Sequence, residues 1–499
     1  MTHSLSSKEG TNDSKEEHDA IDSSVDERAV LRKIDIRIIP WLAVLYLLNF
    51  LDRGSIGNAK LYNLEEDIGI TDRQYLIALT VFFFPYALLE PASNIILRRV
   101  RPSIWLSSMM LIWGVVMTLH GVIKDYGGLI TVRVLLGTAE AGMYPGIVFF
   151  ITSWYKRSEM GTRIALFFSS ATLAGAFSGL LAAAISNMNG IGGKTGWQWI
   201  FILEGLATII LSIVSYWIIP DFPSSPRVKF LTEEERLFVV RRLEDDMKLS
   251  AAGESLKRAY IWQSLTDWKT WIAMGIYMGF DGPLYAFSLF TPTIISQLGF
   301  RATVANLLSV PVYAWGCFMT CVIGFLGDRI GTRSHINFAL FGVGLIAYII
   351  LIVSRSPALS YFAVYLAVSA IYPTIPNSVA WVASNVEGSY KRAVTLGMAI
   401  GFGNINGAVT ANIYRSQDRP WYRLGHGIVL AYIAVGFICS IIFAIYLKRE
   451  NARRERGERD EVIEGIDNKR AHERNGVYKS VEEAKVAKGD YWSGFRYTL

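Results

Sequence analysis

The sequence predicts an all-α membrane protein with twelve transmembrane helices in two six-helix halves. Composition is one reason: 52% of the 499 residues are hydrophobic, only 18% are charged, and the mean hydropathy is +0.31. An average soluble domain carries about 25% charged residues. Distribution is the other reason, because the charges collect near both ends and at 221–269, with apolar blocks between them. A bilayer imposes this pattern on the segments that cross it.

Apolar runs of about 20 residues can cross a hydrocarbon layer of about 30 Å. Twelve such runs are predicted, at 37–58, 74–97, 103–123, 127–152, 161–186, 197–220, 270–296, 304–326, 335–354, 357–383, 391–413 and 427–447. Short connections join nearly all of them. The exception is 221–269, where Thr232-Glu-Glu-Glu235 is a capping-box pattern that begins an amphipathic helix. We therefore predict two halves, 36–220 and 270–447, joined by a cytosolic linker.

Two polar tails flank the halves. Residues 1–35 are rich in acidic side chains, which excludes a secretory signal and a transit peptide, and we expect a disordered cytosolic tail there. Residues 448–499 form the second tail. Lys and Arg stay on the cytosolic side during insertion. They cluster at the corresponding helix ends, at Arg32, Lys33 and Arg37, at Arg98, Arg99 and Arg101, and at Lys391 and Arg392. Both termini are therefore predicted to be cytosolic.

Several other classes of protein are disfavoured. Cys317, Cys321 and Cys439 lie within apolar runs and have neither disulfide nor zinc spacing. The net charge of +6 falls in short clusters beside the spans, so it indicates topology and no nucleic-acid contact. No nucleophile and base pair stands at usable spacing. We expect no enzyme activity, no metal, no cofactor, and a monomer in the lipid bilayer.

Glycine patterns occur at matching places in the two halves. The fifth span contains Gly175-Ala-Phe-Ser-Gly179, and the eleventh contains Gly397-Met-Ala-Ile-Gly401 followed by Gly403-Asn-Ile-Asn-Gly407. Small residues spaced in this way let helix backbones approach closely. The placement is typical of a protein built from two related halves.

The most specific motif ends the eighth span, at Gly324-Phe-Leu-Gly-Asp328-Arg329-Ile-Gly331-Thr-Arg333. It resembles the loop signature of the major facilitator superfamily. The glycines would permit a tight turn, and Asp328 would cap a helix end and pair with a neighbouring Arg. That pairing must break when the halves rock, so we interpret Gly324, Asp328, Arg329, Gly331 and Arg333 as a conformational latch.

Charged residues at membrane depth are costly and usually functional. The first span contains Asp52 and Arg53, and the fourth contains Arg133 and Glu140. Arg133 and Glu140 share one helical face, because they are seven residues apart. Counting along the spans predicts that Asp52 faces Arg133, and that Arg53 can reach Glu140 or a bound anion. Static salt bridges are the alternative. Four such groups around one cavity favour proton-coupled transport of an anion.

Four patterns together resemble the fungal allantoate permease group of the anion:cation symporter family. They are Ile39-Pro-Trp through Asp52-Arg53, Arg133-x-x-x-Gly-x-x-Glu140-Ala-Gly, Tyr285-Ala-Phe-Ser-Leu-Phe-Thr-Pro, and the terminal Phe495-Arg-Tyr-Thr-Leu499. The resemblance covers essentially the whole chain. It implies a proton symporter of a small organic anion, with Asp52 and Glu140 as the proton carriers and a plasma-membrane location. The implied substrate is a nicotinate- or vitamin-like carboxylate, with ureides and dicarboxylates left open.

Arg53 and Arg133 are the predicted substrate ligands, because a guanidinium presents a fork of donors that matches a carboxylate. Polar and aromatic residues of the second half are candidates for selectivity. They are Asp281, Tyr285, Tyr372, Asn377, Trp381, Asn404 and Asn406. For any one of them, a hydrogen bond between helices is an equally good interpretation. An exporter of an acidic metabolite and a nutrient sensor without net flux remain alternatives to import.

Overall fold

The computed structural model describes residues 25–156, 158–247, 258–296, 302–414, 418 and 421–499. Residues 1–24 of the acidic tail predicted at 1–35 lie outside these residues. The same holds for residues 248–257 of the predicted linker. A helix begins at Glu27, so the predicted disorder is wrong for 27–35.

Long helices coincide with the twelve predicted spans, and two shorter helices lie in the linker. In chain order they are α1 Glu27–Leu61, α2 Asp72–Arg99, α3 Pro102–His120, α4 Tyr126–Glu140, α5 Met143–Thr152, α6 Met160–Ser186, α7 Gly196–Ile218, α8 Glu233–Met247, α9 Arg258–Thr266, α10 Trp268–Ser296, α11 Ala302–Ile330, α12 Arg333–Val353, α13 Pro357–Ser384, α14 Ser389–Thr410 and α15 Arg423–Glu455. One-turn helices occur at Leu64–Asp67 and Ile191–Gly193.

Ten segments of the described chain are long and apolar enough to cross a membrane, counting α4 and α5 as one segment, Tyr126–Thr152. The helices α10 and α14 are not among the ten. The all-helical membrane architecture is therefore confirmed, and the count of twelve crossings stays a prediction. In the linker, the predicted capping box is present: Glu235 N donates to Thr232 Oγ1, and Thr232 N donates to Glu235 Oε2.

The two halves meet most extensively along two helix pairs, α2 with α14 and α6 with α11. Glycines allow both contacts. A Cβ on Gly397 would lie 2.9 Å from Pro91 Cα, and a Cβ on Gly324 would lie 2.2 Å from the Cβ of Ala165. The predicted close approach is confirmed at Gly397, whereas the contact at Gly324 was not predicted. It does not extend to Gly179, where a Cβ would meet nothing within 4 Å.

The polar tail after α15 folds back onto the bundle. We call residues 457–499 the C-terminal segment; it contains α16 Val481–Lys488, the parallel two-residue strands β1 Val462–Ile463 and β2 Val477–Tyr478, and one-turn helices at Glu473–Asn475 and Gly489–Tyr491. Phe495 and Tyr497 are buried against Trp381 and Phe443. Trp381 Nε1 donates to Thr498 O at 3.0 Å. Trp381, a predicted selectivity residue, therefore holds this segment. We call this end of the bundle the tail end.

Candidate functional site

Arg53 of α1 connects the two halves of the bundle. Its Nε donates to Glu140 Oε2 at 3.1 Å, and its Nη1 donates to the hydroxyl of Tyr285 on α10 at 2.7 Å. Its Nη2 is buried without a partner. The guanidinium lies 4.6 Å from the ring centroid of Tyr86 and 5.5 Å from that of Phe50. The predicted reach of Arg53 to Glu140 is confirmed, and one donor remains available.

Hydrogen bonds continue from Tyr285 to an acid that the sequence analysis missed. The Tyr285 hydroxyl donates to Asn404 Oδ1 at 2.8 Å, and Asn404 Nδ2 donates to Glu90 Oε1 at 2.7 Å. Glu90 lies on α2 and is fully buried. We call Arg53, Tyr285, Asn404 and Glu90 the Arg53–Glu90 chain. The signal in the sequence was a single acid inside the apolar run Leu88-Leu89-Glu90-Pro91.

The helix that carries Glu140 stops at that residue. Ala141 leaves the helical conformation with ψ 124, and Gly142 has φ 82, a left-handed conformation that favours glycine. A new helix, α5, then begins at Met143. A Cβ on Gly142 would lie 2.2 Å from Ser93 Oγ, so space as well as conformation demands glycine. The continuous span predicted at 127–152 is thus a broken helix, as is common where transporter helices line a binding site.

Asp52 does not face Arg133, and that prediction is wrong. The Asp52 carboxyl points towards α7, where Thr208 Oγ1 donates to its Oδ2 at 3.4 Å. One turn further along α1, Ser55 donates to Glu204 of α7. Consecutive helix residues point about 100° apart, so Asp52 and Arg53 cannot both face α4. Glu204 was missed as well, and with Glu90 it contradicts the expectation that buried charges occur in two spans of the first half.

Arg133 is buried with open hydrogen-bond donors. It is 4% exposed, and its Nε and Nη2 atoms have no hydrogen-bond partner. Within the described part of the chain, Arg133 forms no ion pair within 4 Å. A buried cation with open donors is a ready ligand for an anion.

The second-half candidates do not share one location. Tyr285 and Asn404 belong to the Arg53–Glu90 chain, and Asp281 lies next to it, with Oδ2 buried and unpartnered. Tyr372 packs in a ring cluster, 6.4 Å from Phe287 between ring centroids. Asn377 lies elsewhere: its Nδ2 donates to Arg333 O and Asn337 Oδ1, beside the latch. Asn406 accepts from the Tyr432 hydroxyl at 2.8 Å, which is a contact between helices.

The predicted latch joins the halves at the tail end. Asp328 Oδ2 accepts from Thr162 N at 2.6 Å, and Asp328 Oδ1 accepts from Gly161 N at 3.2 Å, so it caps the start of α6 in the other half. It also pairs with Arg333. Gly331 has φ 74 and makes the predicted turn, whereas Gly324 lies within α11 and serves close packing. The exposed Arg329 borders a cavity of about 770 Å³ at this junction.

Taken together, the membrane-embedded core holds five buried acids and two arginines. The acids are Asp52, Glu90, Glu140, Glu204 and Asp281. Among these seven groups, all within the described residues, the only ion pair closer than 4 Å is that of Arg53 with Glu140. Charges buried in a medium of low polarity need countercharges or protons. This core can therefore bind an anion at its arginines and protons at its acids.

Comparisons with known proteins agree with this architecture. Residues 42–411 match the family model described as Major Facilitator Superfamily. The chain is 34% identical over 443 residues to the MFS-type transporter cnsO of Penicillium expansum, covering 87% of this chain and 86% of the relative. It is 32% identical over 486 residues to the major facilitator-type transporter hxnP of Emericella nidulans, covering 95% and 93%. The solved structure of the proton:xylose symporter XylE has a TM-score of 0.61 at 12% identity, over 82% of this chain and 96% of that one.

Proposed function

Since this chain belongs to the Major Facilitator Superfamily and is a multi-pass membrane transporter, we propose that it is a proton-coupled symporter that imports a small organic anion. The anion is a carboxylate, and the nicotinate- or vitamin-like class fits the family resemblance of the sequence. Alternating access of the two halves moves it across the plasma membrane.

The observation that carries the proposal is the ion pair between Arg53 and Glu140. A substrate carboxylate presents the same chemical group as Glu140, so the two compete for one guanidinium. Protonation of Glu140 releases Arg53 to the substrate. Loss of that proton on the other side restores the ion pair and expels the substrate. Competition of this kind couples the movement of the proton to the movement of the anion, so that both cross the membrane in the same direction.

Arg133 and Asp52 complete the scheme. Arg133 supplies a second permanent cation with two open donors for the anion. Asp52, which is fully buried and forms no ion pair within 4 Å among the residues that the structure describes, is the second proton carrier. The latch around Asp328 stabilises one arrangement of the halves and takes no part in binding.

The test is uptake of labelled carboxylates by cells that lack their own carriers, with the outside at pH 5 and pH 7.5. We expect faster uptake at the acidic pH, and Glu140→Gln should abolish accumulation while it spares exchange. The matched control is Glu234→Gln on the exposed face of α8. Accumulation by the Glu140→Gln protein that still depends on pH would contradict the role of Glu140.

Anion recognition has its own test. The amide of a transported acid should compete at least about tenfold less well than the acid, because a buried arginine without its anion is costly. Equal inhibition by acid and amide would show that the arginines do not bind the carboxylate.

A further inference from the structure

Glu90 lies at one end of a hydrogen-bond chain whose other end is Arg53. The chain crosses the boundary between the halves twice, from Arg53 on α1 to Tyr285 on α10 and from Asn404 on α14 to Glu90 on α2. It is a separate contact from the latch, because the latch joins α6 and α11 at the tail end.

The two ends of this chain have opposite hydrogen-bonding character. Arg53 can only donate, and an ionised Glu90 can only accept. Between them, Asn404 and Tyr285 each have a donor and an acceptor. The ionised acid therefore permits a single direction: Asn404 Nδ2 donates to Glu90, the Tyr285 hydroxyl donates to Asn404 Oδ1, and the Tyr285 oxygen is left to accept from Arg53.

A proton on Glu90 makes the opposite direction available. The acid can then donate to Asn404 Oδ1, after the amide has turned, and Asn404 Nδ2 donates to the Tyr285 oxygen. The Tyr285 hydroxyl must then aim its hydrogen at Arg53, which has no acceptor. In this direction the contact between Tyr285 and Arg53 is lost.

We propose that Glu90 is a further proton-binding group, which in its ionised form locks Arg53 to Tyr285 across the halves and on protonation permits its release. Glu90 is thus a positioning residue for Arg53. The inference rests on the proposed function only in giving that proton a part in transport. Release of Arg53 from the second half frees a donor for the substrate and removes one bond that opposes separation of the halves.

The surroundings of Glu90 fit a group that changes protonation. Its Oε2 is buried without a partner, and a Cβ on Gly401 would lie 2.7 Å from that atom. The titratable and charged groups that face it belong to four helices. They are Arg53 on α1, Tyr86 on α2 itself, Tyr144 on α5, and Asp281 and Tyr285 on α10. Arg53 is the only cation among them, and it already pairs with Glu140.

The first experiment needs no substrate. It compares the melting temperature of the full-length protein in detergent at pH 5 and pH 8. Glu90→Gln, which can donate and accept, and Tyr285→Phe, which interrupts the chain, should each reduce the difference between the two pH values. The double variant should reduce it no further, because both changes remove the same bond. Additive effects, or a difference in Glu90→Gln equal to that of the wild type, would overturn the proposal.

The matched control is Glu204→Gln. Glu204 is another buried acid of the same bundle, and it lies outside the Arg53–Glu90 chain. The effect of Glu204→Gln on the difference in melting temperature between pH 5 and pH 8 should add to the effect of Tyr285→Phe. If Glu90→Gln does not fold, the pair Asn404→Ala and Tyr285→Phe replaces it, with the same expected lack of additivity. Absence of carboxylate uptake would overturn the proposed function and leave this test of Glu90 intact.

Transport supplies the second readout. In the wild type, the apparent KM for the carboxylate should fall between pH 8 and pH 5, and in Glu90→Gln it should change much less over the same range. The maximal rate should respond less than KM does, because Glu90 acts through Arg53. Part of the pH dependence should remain in Glu90→Gln, because Glu140 still titrates there. A pH dependence of KM equal to that of the wild type would contradict the release of Arg53.

Discussion

Two groups of buried charges in this molecule are built in opposite ways. At the tail end, Asp267, Lys269, Lys391 and Asp490 form what we call the tail cluster, in which two acids meet two bases. Lys391 Nζ lies 2.6 Å from Asp267 Oδ2 and 2.7 Å from Asp490 Oδ1, and Lys269 also pairs with Asp490. In the membrane-embedded core, five acids surround two arginines and one ion pair forms.

The difference separates structure from transport. In a balanced cluster each charge has an oppositely charged neighbour, so one arrangement of the side chains is favoured. In the tail cluster, that arrangement docks the C-terminal segment on the bundle. An unbalanced cluster contains charges without an ion-pair partner, and these need protons or a ligand to be stable when buried. The same side-chain chemistry therefore stabilises one arrangement in the tail cluster, and in the core it leaves the unpaired charges to which we assign binding of protons and substrate in the proposed function.

The largest expected effect comes from unbalancing the tail cluster. Asp490→Asn leaves two lysines with one acid, and breaking a buried ion pair costs about 3–5 kcal/mol. We expect a lower melting temperature and faster proteolysis of the C-terminal segment. The control is Asp467→Asn, an exposed acid of the same segment. Melting of the Asp490→Asn protein at the wild-type temperature would show that the cluster is not what docks the segment.

In the core, Arg53→Lys preserves charge but loses the fork of donors that reaches Glu140 and Tyr285. We expect uptake to fall about 100-fold, equivalent to about 2.7 kcal/mol, with little change in melting temperature. Arg133→Lys should leave more activity, because within the described residues Arg133 forms no hydrogen bond or ion pair with the second half. Arg73→Lys on the exposed start of α2 is the control. The comparison would fail if Arg53→Lys transported as well as Arg73→Lys.

The latch should show an intermediate effect on rate. Asp328→Asn retains one acceptor for the start of α6 and loses its charge pair with Arg333. We expect the maximal rate to drop about tenfold, with KM changed less, because Asp328 stabilises a conformation and does not touch substrate. A normal maximal rate combined with a greatly raised KM would contradict this assignment.

The smallest effect concerns acid stability of the tail cluster. Burial by itself would raise the pKa of Asp267, but Lys269 and Lys391 outweigh it and hold that pKa below its usual range. An acid with a lowered pKa stabilises the folded state above its unfolded pKa, about 4, and that stabilisation is lost as the pH falls further. The contribution of Asp267 to docking of the C-terminal segment should therefore not vary between pH 5 and pH 8. A protease-sensitivity profile across this range would detect any exception.

Much of the site was predictable from one sequence. Arg53 reaches Glu140, Tyr285 and Asn404 lie in the same network, and Asp328 caps a helix and pairs with Arg333. Each of these rests on a charged or polar residue that stands out within an apolar span or a specific motif. Glu90 and Glu204 stand out in the same way, but each is the single charge of its predicted span, so a search for spans with two charges does not find them.

The remaining errors concern direction and distance. The prediction that Asp52 faces Arg133 failed because residue counting gives the depth of a side chain along its helix. It does not give the direction in which the side chain points around the helix axis. The sequence has no measure of which neighbour a helix face meets, and Asp52 meets α7. Asn377 and Trp381 were grouped with the cavity because they are polar or aromatic inside a span. Their height in the bundle places them with the latch and the C-terminal segment instead.

The sequence by itself determined the class of protein, the positions of the helices and the capped linker helix, because the hydrophobic periodicity and length of a span are local properties. Tertiary structure alone decided the partners of each buried charge, the break in the helix after Glu140 and the docking of the C-terminal segment. Those features depend on contacts between residues as far apart as Glu90 and Asn404, and such contacts exist only once the helices have packed.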